Sequence, residues 1–259
     1  MCSERKSEAE IPPLIDDPVL LAQKEAANAL DQFDWAMTEV SRWMEHREPT
    51  LRISMLLDLH RKAMSGIDQY AGNFRPASVA IKGSKHAPVP GEEVPRHVEE
   101  MLDYLKSNWS EKTASHLSAY AMWRLNWIHP FADGNGRTSR MFSYMILCAR
   151  LGYRLPGSNT IPEQISEYKA PYYSALEAAD EAWKIEKIDV TEMEKLLEGY
   201  LAKQLIGVQE SATGKSLRLP ESTALSKQSR WDFFERRPVL YTSIVTIVIA
   251  MIGWAISAL

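Results

Sequence analysis

Apolar residues recur at three- and four-residue spacing along most of this chain, and that period predicts helices nearly throughout. From about residue 17 to 45, Leu20, Ala27, Leu30, Phe33, Met37, Val40 and Met44 form one stripe with Trp35 and Trp43 beside it, predicting one or two amphipathic helices. A second helical stretch covers 51–64. The period breaks at Gly72-Asn73-Phe74-Arg75-Pro76. Residues 78–86 then alternate β-branched and small residues around a glycine-centred turn, which predicts a short hairpin at about 78–87. Pro88, Pro90 and Pro95 close it. Helical spacing resumes over 96–109 and 113–128. Over 138–151, Met141, Phe142, Met145, Ile146, Leu147 and Cys148 leave little polar face, so this helix should run through the centre. Helices at about 161–180 and 187–205 follow. The expected fold is all-α with one small β-hairpin.

The two ends differ from this pattern. Residues 1–13 are polar and finish in Pro12-Pro13, which reads as an unstructured lead-in. Residues 206–230 lack an apolar stripe and read as a flexible linker. They contain Thr213-Gly214-Lys215-Ser216, but Gln209 stands where a phosphate-binding loop needs its first glycine, and no strand precedes it. Residues 239–259 carry no charge, have Tyr241 and Trp254 near their ends, and follow Arg236-Arg237. At 1.5 Å per residue such a run spans roughly 30 Å, which predicts a transmembrane helix with its basic flank in the cytoplasm.

Composition narrows the class. The 259 residues are 45% hydrophobic and 25% charged, enough to bury a sizeable core. A net charge of -4 argues against a general nucleic-acid binder. Two cysteines far apart, Cys2 and Cys148, predict no structural disulfide and fit a reducing compartment.

The chemistry concentrates in His129-Pro130-Phe131-Ala132-Asp133-Gly134-Asn135-Gly136-Arg137-Thr138-Ser139-Arg140. Pro130 stops the preceding helix and delivers His129 to a tight loop. Gly134 and Gly136 let backbone amides approach a ligand, and the helix that follows turns its free N–H groups and positive dipole end to the same spot, which suits an anion. Arg137 and Arg140 share one helical face and can grip outer phosphates. Asp133 can hold a hard divalent cation such as magnesium beside them. His129, near neutral at pH 7, can accept a proton from an incoming hydroxyl.

This segment resembles the signature of the Fic family (Fic/Doc, Fido fold), His-Pro-Phe-x-(Asp/Glu)-Gly-Asn-Gly-Arg-x-x-Arg, at every specified position. The resemblance runs from about residue 56 to 180: Gly72-Asn73-Phe74-Arg75 is similar to the family's entry into its flap, and Ile161-Pro162-Glu163 to the lead-in of a late helix. It implies a helical fold transferring AMP from magnesium-bound ATP to a Tyr, Thr or Ser hydroxyl of a target protein. By position, His129 would be the general base and Asp133 the magnesium ligand. Gly134, Asn135 and Gly136 would form the anion hole, Arg137 and Arg140 would neutralise the outer phosphates, and Phe131 would anchor the loop. Gly136 stands where relatives that transfer the terminal phosphate carry lysine. The flap residues Val79, Ala80, Ile81, Lys82 and Gly83 would dock the target by adding it as a strand. Tyr172 and Tyr173 suit core or interface packing better than the site.

The family's inhibitory Ser/Thr-x-x-x-Glu-Gly/Asn pattern has no match. Glu45, four residues after Ser41 but followed by His46, is the nearest approach. A homo-oligomeric partner or a separate inhibitor is the alternative route to regulation. The division expected is a lead-in and helical region at 1–50, a catalytic domain at 51–205, a linker at 206–238 and a membrane anchor at 239–259. The other readings left open are a silent membrane-tethered nucleotide-binding or scaffold protein, and a same-fold transferase using another nucleotide donor.

Overall fold

A computed structural model describes residues 5–8, 14–46 and 49–213, all within the first of two compact units, Met1–Gly214 and Lys215–Leu259. The expected anchor at 239–259 therefore lies outside the described residues. Among those described, no helix is long and apolar enough to cross a membrane.

Among the described residues eight α-helices make the body of the unit: α1 Pro18–His46, α2 Ile53–Met64, α3 Val94–Ser107, α4 Ala114–Ile128, α5 Asn135–Leu151, α6 Ile161–Glu167, α7 Ala170–Trp183 and α8 Thr191–Thr213. Two short strands, β1 Lys6–Glu8 and β2 Ala80–Lys82, complete it. Helices α4 and α5 form the centre, and ten residues of α4 and eleven of α5 are buried, so both are enclosed nearly all round. Their close approach rests on a pair of small residues. Ser118 and Ser143 exchange hydroxyl-to-carbonyl bonds of 2.9 Å in both directions, leaving neither hydroxyl unpaired in the core.

Helix α1 is one helix of 29 residues, started by Asp17, whose carboxylate accepts the Val19 N–H at 2.7 Å. Its inner face differs from the apolar stripe expected. Leu20 and Leu30 are 55% and 70% exposed, whereas Asn28 and Gln32 are buried with Ala36, Met37, Val40 and Trp43. The reason lies in α2: carbonyls at its carboxyl end lack helical partners, and an interior carbonyl keeps a second lone pair that a side-chain amide can use. Asn28 donates to the Ala63 and Ser65 carbonyls at 3.2 and 2.9 Å, and Gln32 donates to that of Leu59 at 3.0 Å. Two side-chain amides thus do at this contact what leucines could not.

Three further expectations need correction. The predicted hairpin does not form from residues 78–87 alone: one arm, β2, is a strand, followed by a turn at Gly83 with φ of 76°. Its antiparallel partner is β1, with Lys6 opposite Lys82, Ser7 opposite Ile81 and Glu8 opposite Ala80. The lead-in is accordingly structured over residues 5–8, because a three-residue strand edge offers backbone groups that this segment satisfies. Second, the stretch 161–180 is two helices, with Tyr168 and Lys169 between them and Pro171 in the first turn of the second. Third, α8 continues to Thr213, eight residues into the segment read as linker. Buried Gln204 ties it down, accepting from the Ile161 N–H at 3.2 Å and donating to the Pro156 carbonyl at 2.8 Å.

Cys148 is a free, buried thiol whose pKa burial pushes up to about 11, so it is an inert core residue.

Candidate active site

The site is the loop between the two central helices together with what leans over it. Helix α4 ends on His129, which takes a left-handed backbone conformation with φ of 53° and ψ of 58°. A non-glycine residue there is strained by on the order of 1 kcal/mol. Helix α5 begins after Gly134, also left-handed at φ 75°. The N–H groups of its first turn have no intrahelical partners and face the loop's mouth.

Four side chains fix the loop. Asn135 is buried and turned inward, its amide donating to the Phe131 carbonyl at 2.8 Å and accepting from the Phe131 N–H at 2.9 Å. Its side chain therefore serves the loop, and an anion would meet its backbone N–H. Phe131 is fully buried, stacked on His60 at 3.8 Å and 3° and tilted against Phe74 at 5.9 Å. His60 accepts the Gly72 N–H on Nδ1 at 2.9 Å, which assigns its proton to Nε2, and Nε2–H donates to the Asp133 carbonyl at 3.0 Å. Burial holds its pKa down at about 4, so it stays neutral. Arg75 donates through Nε to the His129 carbonyl at 2.9 Å, through Nη1 to that of Ala77 at 2.7 Å, and through Nη2 to that of Val89.

Arg75 also clamps the front of the flap to the loop. The back is clamped by His86, whose Nε2 donates to the Trp127 carbonyl at 2.7 Å. Between these clamps β2 lies along the site with one edge taken by β1.

His129 is 7% exposed, and burial pushes its pKa down to about 4, against a smaller raising effect from the Asn126 backbone. Arg75 and His86 add to the lowering. The ring is therefore neutral at pH 7, with a lone pair available. Nδ1 is buried without a well-formed hydrogen bond, while Nε2 stands 2.8 Å from the Ser7 hydroxyl.

A crevice of about 1050 Å³ opens here, lined by Ser7, His129, Asp133, Gly134 to Arg137 and Arg140 on one side and by Ala26, Leu30 and Phe33 of α1 on another. The two arginines share it. A Cβ on Gly136 would lie 3.1 Å from Arg140 Nη1, so that guanidinium lies over the α5 amino end. Arg137 pairs with Glu25 of α1 at 2.9 Å and reaches Asp133 at 3.4 Å. Asp133 accepts the Gly134 N–H on Oδ1 at 2.6 Å, and its side chain is otherwise 61% exposed. Tyr172 and Tyr173 also line the crevice, Tyr172 buried and Tyr173 with the Arg5 guanidinium 4.4 Å over its ring.

The structure thus brings His129, Asp133, Gly134, Asn135, Gly136, Arg137 and Arg140 to one crevice. Of the flap residues, Ala80, Ile81 and Lys82 form the strand, with Val79 before it and Gly83 in its turn. Glu45 is exposed in the last turn of α1. On α1 it is Glu25 that pairs with Arg137, twenty residues earlier than Glu45 and so about 30 Å away along the helix. Four contributors were not read from sequence: His60, Ser7, Arg5 and Glu25. His60 had a signal, a lone polar residue on the apolar face formed by Met55, Leu56, Leu59 and Ala63. Nothing in their spacing marked the other three.

Residues 50–147 match the profile of the Fic/DOC family. The chain is 29% identical over 162 residues to the protein adenylyltransferase Fic of Aedes aegypti, covering 60% of this chain and 30% of that protein. It is 33% identical over 133 residues to the protein adenylyltransferase Fic of Drosophila willistoni, covering 51% and 25%. It therefore spans under a third of the length of these curated relatives. The fold resembles that of Fic-1 (residues 134–508) from C. elegans, with a TM-score of 0.57 and 22% identity over 77% of this chain and 55% of that one. The profile match and the signature loop within it identify residues 50–147 of this chain as a Fic/DOC family domain.

Proposed function

We propose that this chain is a protein adenylyltransferase that moves AMP from ATP to a hydroxyl of a target protein. The observation that carries this reading is the shared crevice. The neutral His129 ring, the amino end of α5 and the two motif arginines all open on it, with a hydroxyl already on the ring. Relatives named protein adenylyltransferase support the same activity.

Each residue has a definable task. The free N–H groups opening α5 would hold the α- and β-phosphates, where helix dipole and backbone donors act together. Arg137 and Arg140 would neutralise the outer phosphates and favour departure of pyrophosphate. The acceptor hydroxyl would lose its proton to His129 Nε2 as its oxygen attacks the α-phosphorus. Burial of the ring keeps water from competing as acceptor.

Magnesium fits this site through Asp133. Its carboxylate is mostly exposed beside the α5 amino end, and magnesium is commonly held by one or two carboxylates with phosphates and water completing the shell. Among the described residues no group of three or more His, Cys, Asp or Glu would hold a metal unaided, so the phosphates must contribute. When bound, the ion would offset charge on the phosphates and leaving group.

The test is transfer of label from α-labelled ATP to proteins of a membrane extract, comparing the native chain with His129→Ala. Loss of the base should slow transfer at least ~100-fold. Equal labelling by both would overturn the reading, and competition by GTP, CTP and UTP would fix the donor. The charge-free run at 239–259 supports a membrane anchor with the enzyme on the cytoplasmic side. Retention in the membrane pellet after alkaline carbonate washing tests that anchor.

A further inference from the structure

The strand position beside β2, where the flap would hold a target, is filled by the chain itself. Residues 6–8 pair antiparallel with residues 80–82, and within that register Ser7 lies opposite Ile81. Strand side chains alternate faces, so a segment this short presents one residue to the ring at a time. That residue carries a hydroxyl, and its oxygen stands 2.8 Å from His129 Nε2. Arg5 anchors the segment a second time, with its guanidinium 4.4 Å over the Tyr173 ring and paired with Glu177, and its backbone N–H 3.3 Å from the Tyr173 hydroxyl. Ser7 lines the same crevice as Gly136, Arg137 and Arg140.

A serine that merely filled space would need none of this. A backbone ladder sets its register, an arginine fixes its approach, and the hydroxyl meets the nitrogen that must accept the proton. We infer that Ser7 is an intramolecular acceptor: the chain transfers a nucleoside monophosphate to its own Ser7. The inference rests on the transferase reading above.

In the step, Ser7 Oγ forms a bond to the α-phosphorus of the nucleoside triphosphate. The bond from that phosphorus to the oxygen bridging the β-phosphate breaks, and pyrophosphate leaves with the electron pair. The hydroxyl proton passes to His129 Nε2. The product is a serine phosphodiester, and His129 releases its proton to solvent. Because residues 8–17 alone separate Ser7 from α1, the acceptor is held at an effective concentration that a free target must exceed. Self-transfer therefore competes with transfer to other proteins.

The experiment uses the full chain in detergent with α-labelled ATP and magnesium, followed by mass mapping of its amino-terminal peptide. A membrane extract is labelled in parallel. An adduct on Ser7 is expected in the native chain, and the fraction modified per minute should not change over a tenfold range of enzyme concentration. His129→Ala and Ser7→Ala should abolish the adduct in that peptide, while Ser7→Thr, which keeps a hydroxyl, should retain it at position 7. Labelling of the extract with Ser7 bare would overturn the acceptor assignment and leave the transferase reading standing. No label on either the extract or Ser7 would overturn both. A rate per molecule rising in proportion to enzyme concentration would overturn the intramolecular route.

Discussion

At the scale of single residues, the loop is held by side chains more than by its own backbone. Asn135 satisfies both backbone groups of buried Phe131, so Asn135→Ala leaves an N–H and a carbonyl unpaired in the core. A loss of about 2–4 kcal/mol in unfolding free energy is expected, measured by urea titration. Two glycines separate crowding from backbone strain. A Cβ at Gly134, with φ of 75°, would sit 2.7 Å from Met64 Cγ and Sδ, whereas at Gly152, with φ of 81°, it would meet nothing within 4 Å. Gly152→Ala should cost about 1 kcal/mol and Gly134→Ala at least twice that, in the same titration. Side-chain identity in the loop was legible in sequence, but direction was not. The signature placed Asn135 among anion ligands, and only the folded loop turns its amide onto Phe131. His60 was visible as a polar residue on an apolar face, yet its partners Gly72 and Asp133 lie far off in sequence.

At the scale of elements, period read from sequence located nearly every helix because a buried face repeats every three or four residues. It failed where polarity was inside. The inner face of α1 includes Asn28 and Gln32, whose task is to satisfy carbonyls of α2, so the apolar stripe pointed to the wrong face at Leu20 and Leu30. It failed again at β1, since three polar residues become a strand only by borrowing the edge of β2. Helix α1 also brings Glu25 to Arg137, a contact that competes with any phosphate. The pair is partly exposed and worth no more than about 1 kcal/mol, so Glu25→Gln should tighten ATP binding by roughly two- to fivefold. Calorimetric titration of the native and variant chains with a non-hydrolysable ATP analogue checks this, and unchanged affinity would show that the contact does not hold the arginine back.

At the scale of the whole molecule, two buried neutral histidines couple the fold to pH. His60 and His129 both have pKa values lowered by burial from 6.5 to about 4. Between those values the unfolded chain binds more protons than the folded one. Their contribution is therefore complete above about pH 6.5 and is lost as pH falls through about 4. The drop corresponds to on the order of 3 kcal/mol for each ring. Urea midpoints should be level from pH 7 to 8 and fall steadily from 6.5 to 4.5; a midpoint unchanged over that acid range would contradict the burial of both rings. If His129 is the proposed base, transfer should keep it unprotonated down to about pH 5, above its lowered pKa, and an activity profile against pH checks this. The left-handed turn at the end of α4 gives this histidine one more consequence. A strained backbone and a charge-averse cavity make it a burden to the fold that asparagine, at ease in that conformation, would lighten. The proposed transfer reaction would then be the benefit that offsets this ring's drain on folding.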